Sequence, residues 1–148
     1  MATKKRRVSH AVLRRARGIR LLLMDVDGTM TDGGIRLLSA PDGTVAEMVV
    51  FNGQDGVALK LMRRAGLRSG MITGRGSAAV TQRARELGID FVAQNAHEKV
   101  PALEDILARA GVRAEEAAYV GDDLPDLVVM ERVGLAVAVA NATPEVKR

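Results

Sequence analysis

The chain has 148 residues, enough for one domain with a sizeable core and too few for two full domains. Hydrophobic residues make up 47% and charged residues 27%, so disorder is excluded on composition. Aromatics are only 2%, which argues against base-stacking nucleic-acid platforms and leaves an aliphatic core. With no Cys and two His, a disulfide scaffold and a Cys/His zinc centre are both excluded. Any metal must be held mainly by oxygen, which favours a hard ion such as magnesium.

The net charge of +4 conceals an asymmetry. The first twenty residues carry eight bases and no acid, whereas the rest carries fourteen bases against eighteen acids. Residues 1–17 therefore read as a basic arm, expected to be a solvated tail or a cap on an acidic surface. Nucleic acid and anionic lipid are the less favoured partners for it. No apolar stretch has the length of a signal peptide or a membrane span, and a cytoplasmic protein without a nucleic-acid or membrane partner is expected.

Ile19 to Val26 is a continuous aliphatic run, as a strand buried on both faces requires. Two extended segments follow, Ile35 to Leu38 and Val45 to Phe51. Pro41-Asp42-Gly43 between them is turn chemistry and predicts a hairpin flap. Helices are predicted over 55–65, 77–87, 99–110 and 124–133, each closed by a glycine. Strands are predicted over 67–73, 89–93, 117–120 and 135–140. This alternation predicts an α/β fold, a doubly wound parallel sheet with an inserted hairpin and no large cap domain, over residues 18–148. Such sheets bind ligands at the carboxyl ends of their strands.

Acidic residues gather at those ends. Asp25 and Asp27 follow the most apolar strand, and residues two apart in extended chain project to one side. Turn formation explains Asp27-Gly28 but not an acid placed directly after four aliphatics. Asp122, Asp123 and Asp126 recur in the same position after residues 117–120. Asp126 can serve simply as a first-turn helix acid, but converging carboxylates at a buried strand end are costly without a cation. The set reads as a magnesium site. Thr73, followed by Gly74-Arg75-Gly76 and a helix, combines a hydroxyl with free amides as a phosphate cradle does. Residues 74–79 also fit G-x-G-x-x-A, but that fingerprint belongs to the first strand-helix turn. Lys99 precedes a helix, and alone it reads as a surface lysine.

Asp25, Thr73, Lys99 and Asp122, each after its own strand, resemble the four motifs of the haloacid dehalogenase superfamily. The strings Asp25 to Gly33, Phe51-Asn52-Gly53-Gln54-Asp55-Gly56 and Ala118 to Asp126 are similar to the 3-deoxy-D-manno-octulosonate 8-phosphate phosphatase family. The resemblance runs from about residue 18 to the end. It implies hydrolysis of that sugar-acid phosphate through an aspartyl-phosphate, in lipopolysaccharide precursor synthesis. Asp25 would be the nucleophile and Asp27 the general acid and base. Magnesium would be held by Asp25, the Asp27 backbone carbonyl and Asp122, with Asp123 and Asp126 orienting its waters. Thr73, Gly74 and Lys99 would hold the phosphoryl group, and Arg75 and Asn52 would contact the sugar acid. It further implies a homotetramer packed through the hairpin at 35–51, where Met48, Val49, Val50 and Phe51 form an apolar patch.

Two alternatives stay open. An acylneuraminate or deaminoneuraminate 9-phosphate phosphatase would share these motifs, and a non-catalytic tetramerisation module would share the fold. The second predicts decay at Asp25, Asp27, Thr73, Lys99 or Asp122, and all five are present. The family pattern also has a further strand, a helix and a Gly-rich, Arg-bearing tail beyond the last strand predicted here. These 148 residues do not contain them.

Overall fold

The computed structural model describes residues 8–148. Five parallel strands form one sheet in the order β5-β4-β1-β6-β7. The central strand β1 (Leu21–Met24) lies between β4 (Arg68–Ile72) and β6 (Ala117–Gly121), with β5 (Phe91–Ala93) and β7 (Leu135–Ala138) at the edges. Leu21 and Leu23 point to one face of the sheet and Leu22 and Met24 to the other, so both faces need an apolar cover. Helices α4 (Lys99–Ala110) and α5 (Leu124–Met130) cover the first, through Leu103, Ile106 and Val129. Helices α2 (Gly53–Arg64) and α3 (Ala78–Leu87) cover the second, through Leu59, Val80, Ala84 and Leu87. The doubly wound fold class expected from the strand-helix rhythm is what the chain adopts.

The chain winds outward from β1 through β4 to β5, then crosses back to β6 and out to β7. The winding direction reverses between β1 and β6, and a crevice opens there beyond the strand ends. Asp25 follows β1, and Asp122 follows β6.

The flap is a separate two-stranded antiparallel sheet of β2 (Leu37–Ser39) and β3 (Val45–Glu47). Its turn is as predicted: the Asp42 carboxylate accepts from the Thr44 amide at 2.9 Å and the Thr44 hydroxyl at 2.7 Å. The second arm is shorter than the predicted 45–51. After Glu47 the chain turns toward α2, and Phe51 packs half-buried against the α2–α3 core, under the Arg83 guanidinium. Phe51 is therefore removed from the apolar patch assigned to the flap.

Part of the basic arm is helical. Residues 1–7 lie outside the described residues, but His10–Arg17 form helix α1, with the Ser9 hydroxyl accepting from the Val12 amide at 3.3 Å. None of its residues is buried, so the helix is solvated. Helix α5 stops at Met130, short of the predicted Val133. The chain must bring Gly134 against the 3-10 turn at Ala114–Glu116, where a Cβ would meet the Glu115 carbonyl oxygen at 2.0 Å. Among the described residues no helix is long and apolar enough to cross a membrane.

Candidate active site

A cleft of about 290 Å³ opens at the reversal point, lined by Asp25, Asp27, Thr73, Gly74, Arg75 and Lys99 among others. At its floor Lys99 Nζ donates to Asp25 Oδ1 and to Asp126 Oδ1, both at 2.7 Å. All three side chains are buried. The Tyr119 hydroxyl, fully buried on β6, donates to Asp126 Oδ1 at 2.7 Å and lies 3.2 Å from Lys99 Nζ. The other Asp126 oxygen accepts from the Asp122 and Asp123 amides at 2.9 and 3.2 Å. Asp126 thus ties the loop after β6 to the lysine at the start of α4.

Burial sets the electrostatics. It pushes the Asp25 carboxyl up to about 6, against the pull of Lys99. Burial also raises Asp122. Burial alone would lower the Lys99 ammonium, but Asp25 and Asp126 hold it above the usual lysine range. The converse holds for Asp126: burial would raise it, and Lys99 with Tyr119 keeps it below the usual carboxylate range. Burial and the surrounding carboxylates keep the Tyr119 phenol protonated.

Carboxylate oxygens of Asp25, Asp122 and Asp126 lie within 4.8 Å of one another. One lysine among three carboxylates leaves an excess of negative charge that a divalent cation would offset. Close approach at Gly28 makes the cluster possible. This residue has φ +98°, and a Cβ there would meet Asp122 Oδ2 at 2.0 Å. The Thr29 hydroxyl donates to Asp122 Oδ1 at 3.0 Å, and the Asn141 amide nitrogen donates to the Gly28 carbonyl at 2.7 Å. The donor set therefore fits a hard divalent ion. Because both Asp126 oxygens already accept from protein donors, Asp25 and Asp122 are the carboxylates left to bind it.

The Asp27 carboxylate faces the opposite wall. It accepts from the Thr73 hydroxyl at 3.1 Å and from Arg75 Nη1 at 3.3 Å. Asp123 is exposed and outside the acidic cluster; its carboxylate caps α5 by accepting from the Leu124 amide at 2.8 Å. Asp123 still lines the cleft, whereas Asn52 does not. The Asn52 side-chain oxygen caps α2, accepting from the Gln54 amide at 2.8 Å, and Asn52 lines a neighbouring recess with Thr31, Asp32 and Asp55. The structure thus brings together Asp25, Asp27, Thr73, Gly74, Arg75, Lys99, Asp122 and Asp126, with Asp123 on the cleft lining but outside the carboxylate cluster, and Asn52 in the neighbouring recess.

Residues 79–148 match the family model of haloacid dehalogenase-like hydrolases. The 3-deoxy-D-manno-octulosonate 8-phosphate phosphatase KdsC of Escherichia coli K12 is 40% identical over 137 residues, 93% of this chain and 71% of that protein. The chain belongs to the 3-deoxy-D-manno-octulosonate 8-phosphate phosphatase family. Membership makes it a phosphomonoesterase of the haloacid dehalogenase superfamily. The solved Yersinia pestis member superposes with a TM-score of 0.88 at 39% identity, over 95% of this chain and 74% of that one. The Moraxella catarrhalis member, solved with a magnesium ion, a phosphate ion and a KDO molecule, gives a TM-score of 0.83 at 36% identity, over 91% and 75%.

Four contributors were not singled out from sequence: Tyr119, Thr29, Asn141 and Glu47. Tyr119 carried a signal, since a lone tyrosine in an aliphatic strand directed at a buried face needs a partner for its hydroxyl. The other three are ordinary surface residue types until the fold places them.

Proposed function

We propose that this chain hydrolyses 3-deoxy-D-manno-octulosonate 8-phosphate to the free sugar acid and phosphate, with Asp25 as nucleophile. The observation that carries the reading is the division of the two motif carboxylates. Asp25 sits against Lys99 on the buried floor, and Asp27 sits against Thr73 and Arg75 on the wall. An Asp25 oxygen attacks phosphorus, and the bond to the sugar oxygen breaks. Asp27 gives that oxygen a proton and takes one back from the water that hydrolyses the aspartyl-phosphate. Lys99 and the Thr73 hydroxyl steady the phosphoryl oxygens as charge shifts. Arg75, planar and permanently charged, receives the substrate's own carboxylate. Asp25, the Asp27 backbone carbonyl and Asp122 would hold magnesium, which would offset the repulsion between carboxylate and phosphate.

Phosphate release from a panel of sugar phosphates, with magnesium and with a chelator, tests the assignment. The eight-carbon acid is expected to lead the panel, ahead of neuraminate 9-phosphate and neutral sugar phosphates, and activity is expected to vanish with chelation. A preference for the nine-carbon acid would replace the substrate assignment. No turnover on any member would favour the non-catalytic module.

We also propose that the flap mediates a homotetramer. A two-stranded sheet alone is marginal in water, yet Ile35, Leu37, Leu38 and Val45 are all more than half exposed. Light scattering is expected to return four times the chain mass of 15.8 kDa. Leu38→Glu is expected to dissociate it, and a wild-type monomer at micromolar concentration would overturn the proposal.

A further inference from the structure

The flap reaches the active site through the Glu47 side chain. Five of the six residues in β2 and β3 are exposed, and the exception, Glu47, is half-buried because its carboxylate meets Arg75 Nη2. The same guanidinium donates from Nη1 to Asp27. Asp27 has a second partner in the Thr73 hydroxyl, whereas Arg75 is the side-chain partner of Glu47 among the described residues. One cation therefore serves two acidic side chains.

That sharing bears on an acidic substrate. Bringing the substrate's carboxylate to Arg75 while Glu47 stays would set two like charges on one guanidinium, and like charges at hydrogen-bonding range oppose one another. Asp27 is held from two sides and must remain for the chemistry. Glu47 is held by Arg75 alone among the side chains of the described residues. An ion pair still partly open to water, as this one is, exchanges at small cost.

We infer that Glu47 is a specificity-determining residue, a displaceable carboxylate that occupies Arg75 until the carboxylate of a sugar-acid phosphate replaces it. The inference rests on the proposed role of Arg75 toward the substrate's carboxylate. A neutral sugar phosphate has no group to exchange and leaves the Glu47–Arg75 pair intact. Glu47 thus weakens binding of acidic substrates selectively.

The test compares 3-deoxy-D-manno-octulosonate 8-phosphate with neutral D-mannose 6-phosphate in the full-length, magnesium-loaded protein. Glu47→Gln keeps the shape and removes the competing charge. It is expected to lower KM for the acid about fivefold relative to the neutral substrate, the worth of one partly exposed ion pair, with the gain in KM and not in kcat. Glu47→Ala is expected to shift the ratio in the same direction, which guards against a local effect of the carboxamide. Arg75→Gln is expected to lower the acid-to-neutral preference, and adding Glu47→Gln to it is expected to have no further effect. An acid-to-neutral ratio that stays within twofold of wild type in Glu47→Gln, or falls, overturns the inference when Arg75→Gln does reduce the preference. A wild-type preference in Arg75→Gln overturns the role of Arg75 itself, and the inference with it.

Discussion

Asp25→Asn is expected to lower turnover on the order of 10⁵-fold, the scale seen when a nucleophile is removed, while making the metal-free protein more stable at neutral pH. The two effects have one origin. Burial lifts the Asp25 carboxyl from 3.8 to about 6, with Lys99 offsetting only part of the shift. A carboxyl whose folded pKa exceeds its unfolded value binds its proton more tightly in the folded state. Its stabilising share is full below pH 3.8 and is lost as pH rises through about 6. Above that, holding the anion in place costs up to about 3 kcal/mol. Asn has no charge to bury, so its melting temperature in chelator at pH 7.5 is expected to exceed that of wild type by about 5 °C. At pH 4 the two should converge. Saturating magnesium should narrow the gap at pH 7.5, because only the wild type offers the ion both Asp25 and Asp122. Thermal melts at the two pH values, with and without the ion, check each part. Near-wild-type turnover in the variant would sink the nucleophile assignment.

What the sequence conveyed about this fold was whatever acts over short range. The run from Leu21 to Met24 alternates between two apolar covers, so its unbroken hydrophobicity specifies a strand buried on both faces. Placing acids and a hydroxyl at strand ends followed from the same rhythm, since a parallel sheet collects those ends on one side. The contacts that join them did not follow. Lys99 reaches Asp25 across 74 positions and Asp126 across 27, and Arg75 reaches Glu47 across 28. No spacing rule relates residues brought together by sheet order. Asn52 shows how local chemistry competes with a motif reading. It stands in a motif string, yet its side chain is used locally at the start of α2, because Asn before a helix satisfies free amides. Asp123 does both, capping α5 with one oxygen while lining the cleft. Local capping competes with function for the same polar residue types, and only geometry separates the two.

Lys99→Met is expected to be the most destabilising single change at this site, about 3–5 kcal/mol in the metal-free protein, and to lower turnover about a thousandfold. Lys99 is the one cation within reach of Asp25 and Asp126 on the cleft floor among the described residues, and its side chain is 6% exposed. Without it, carboxylates of Asp25, Asp122 and Asp126 remain within 4.8 Å of one another with nothing to balance them. Methionine fills the stem's volume, so the loss reports charge and hydrogen bonding rather than a cavity. Adding Asp126→Asn should recover much of the stability. The carboxamide oxygen can still accept from the Asp122 and Asp123 amides, and its nitrogen can donate to the Tyr119 hydroxyl, while one buried charge is gone. Turnover should not return, since neither methionine nor asparagine supplies a cation to the phosphoryl oxygens. Urea unfolding in chelator, paired with phosphate release, separates the two roles of the lysine. Recovery of turnover in the double variant would make Lys99 a structural counter-ion alone. Recovery of stability without turnover would make it both the counter-ion that permits three acids to share a buried floor and the group that meets the substrate there.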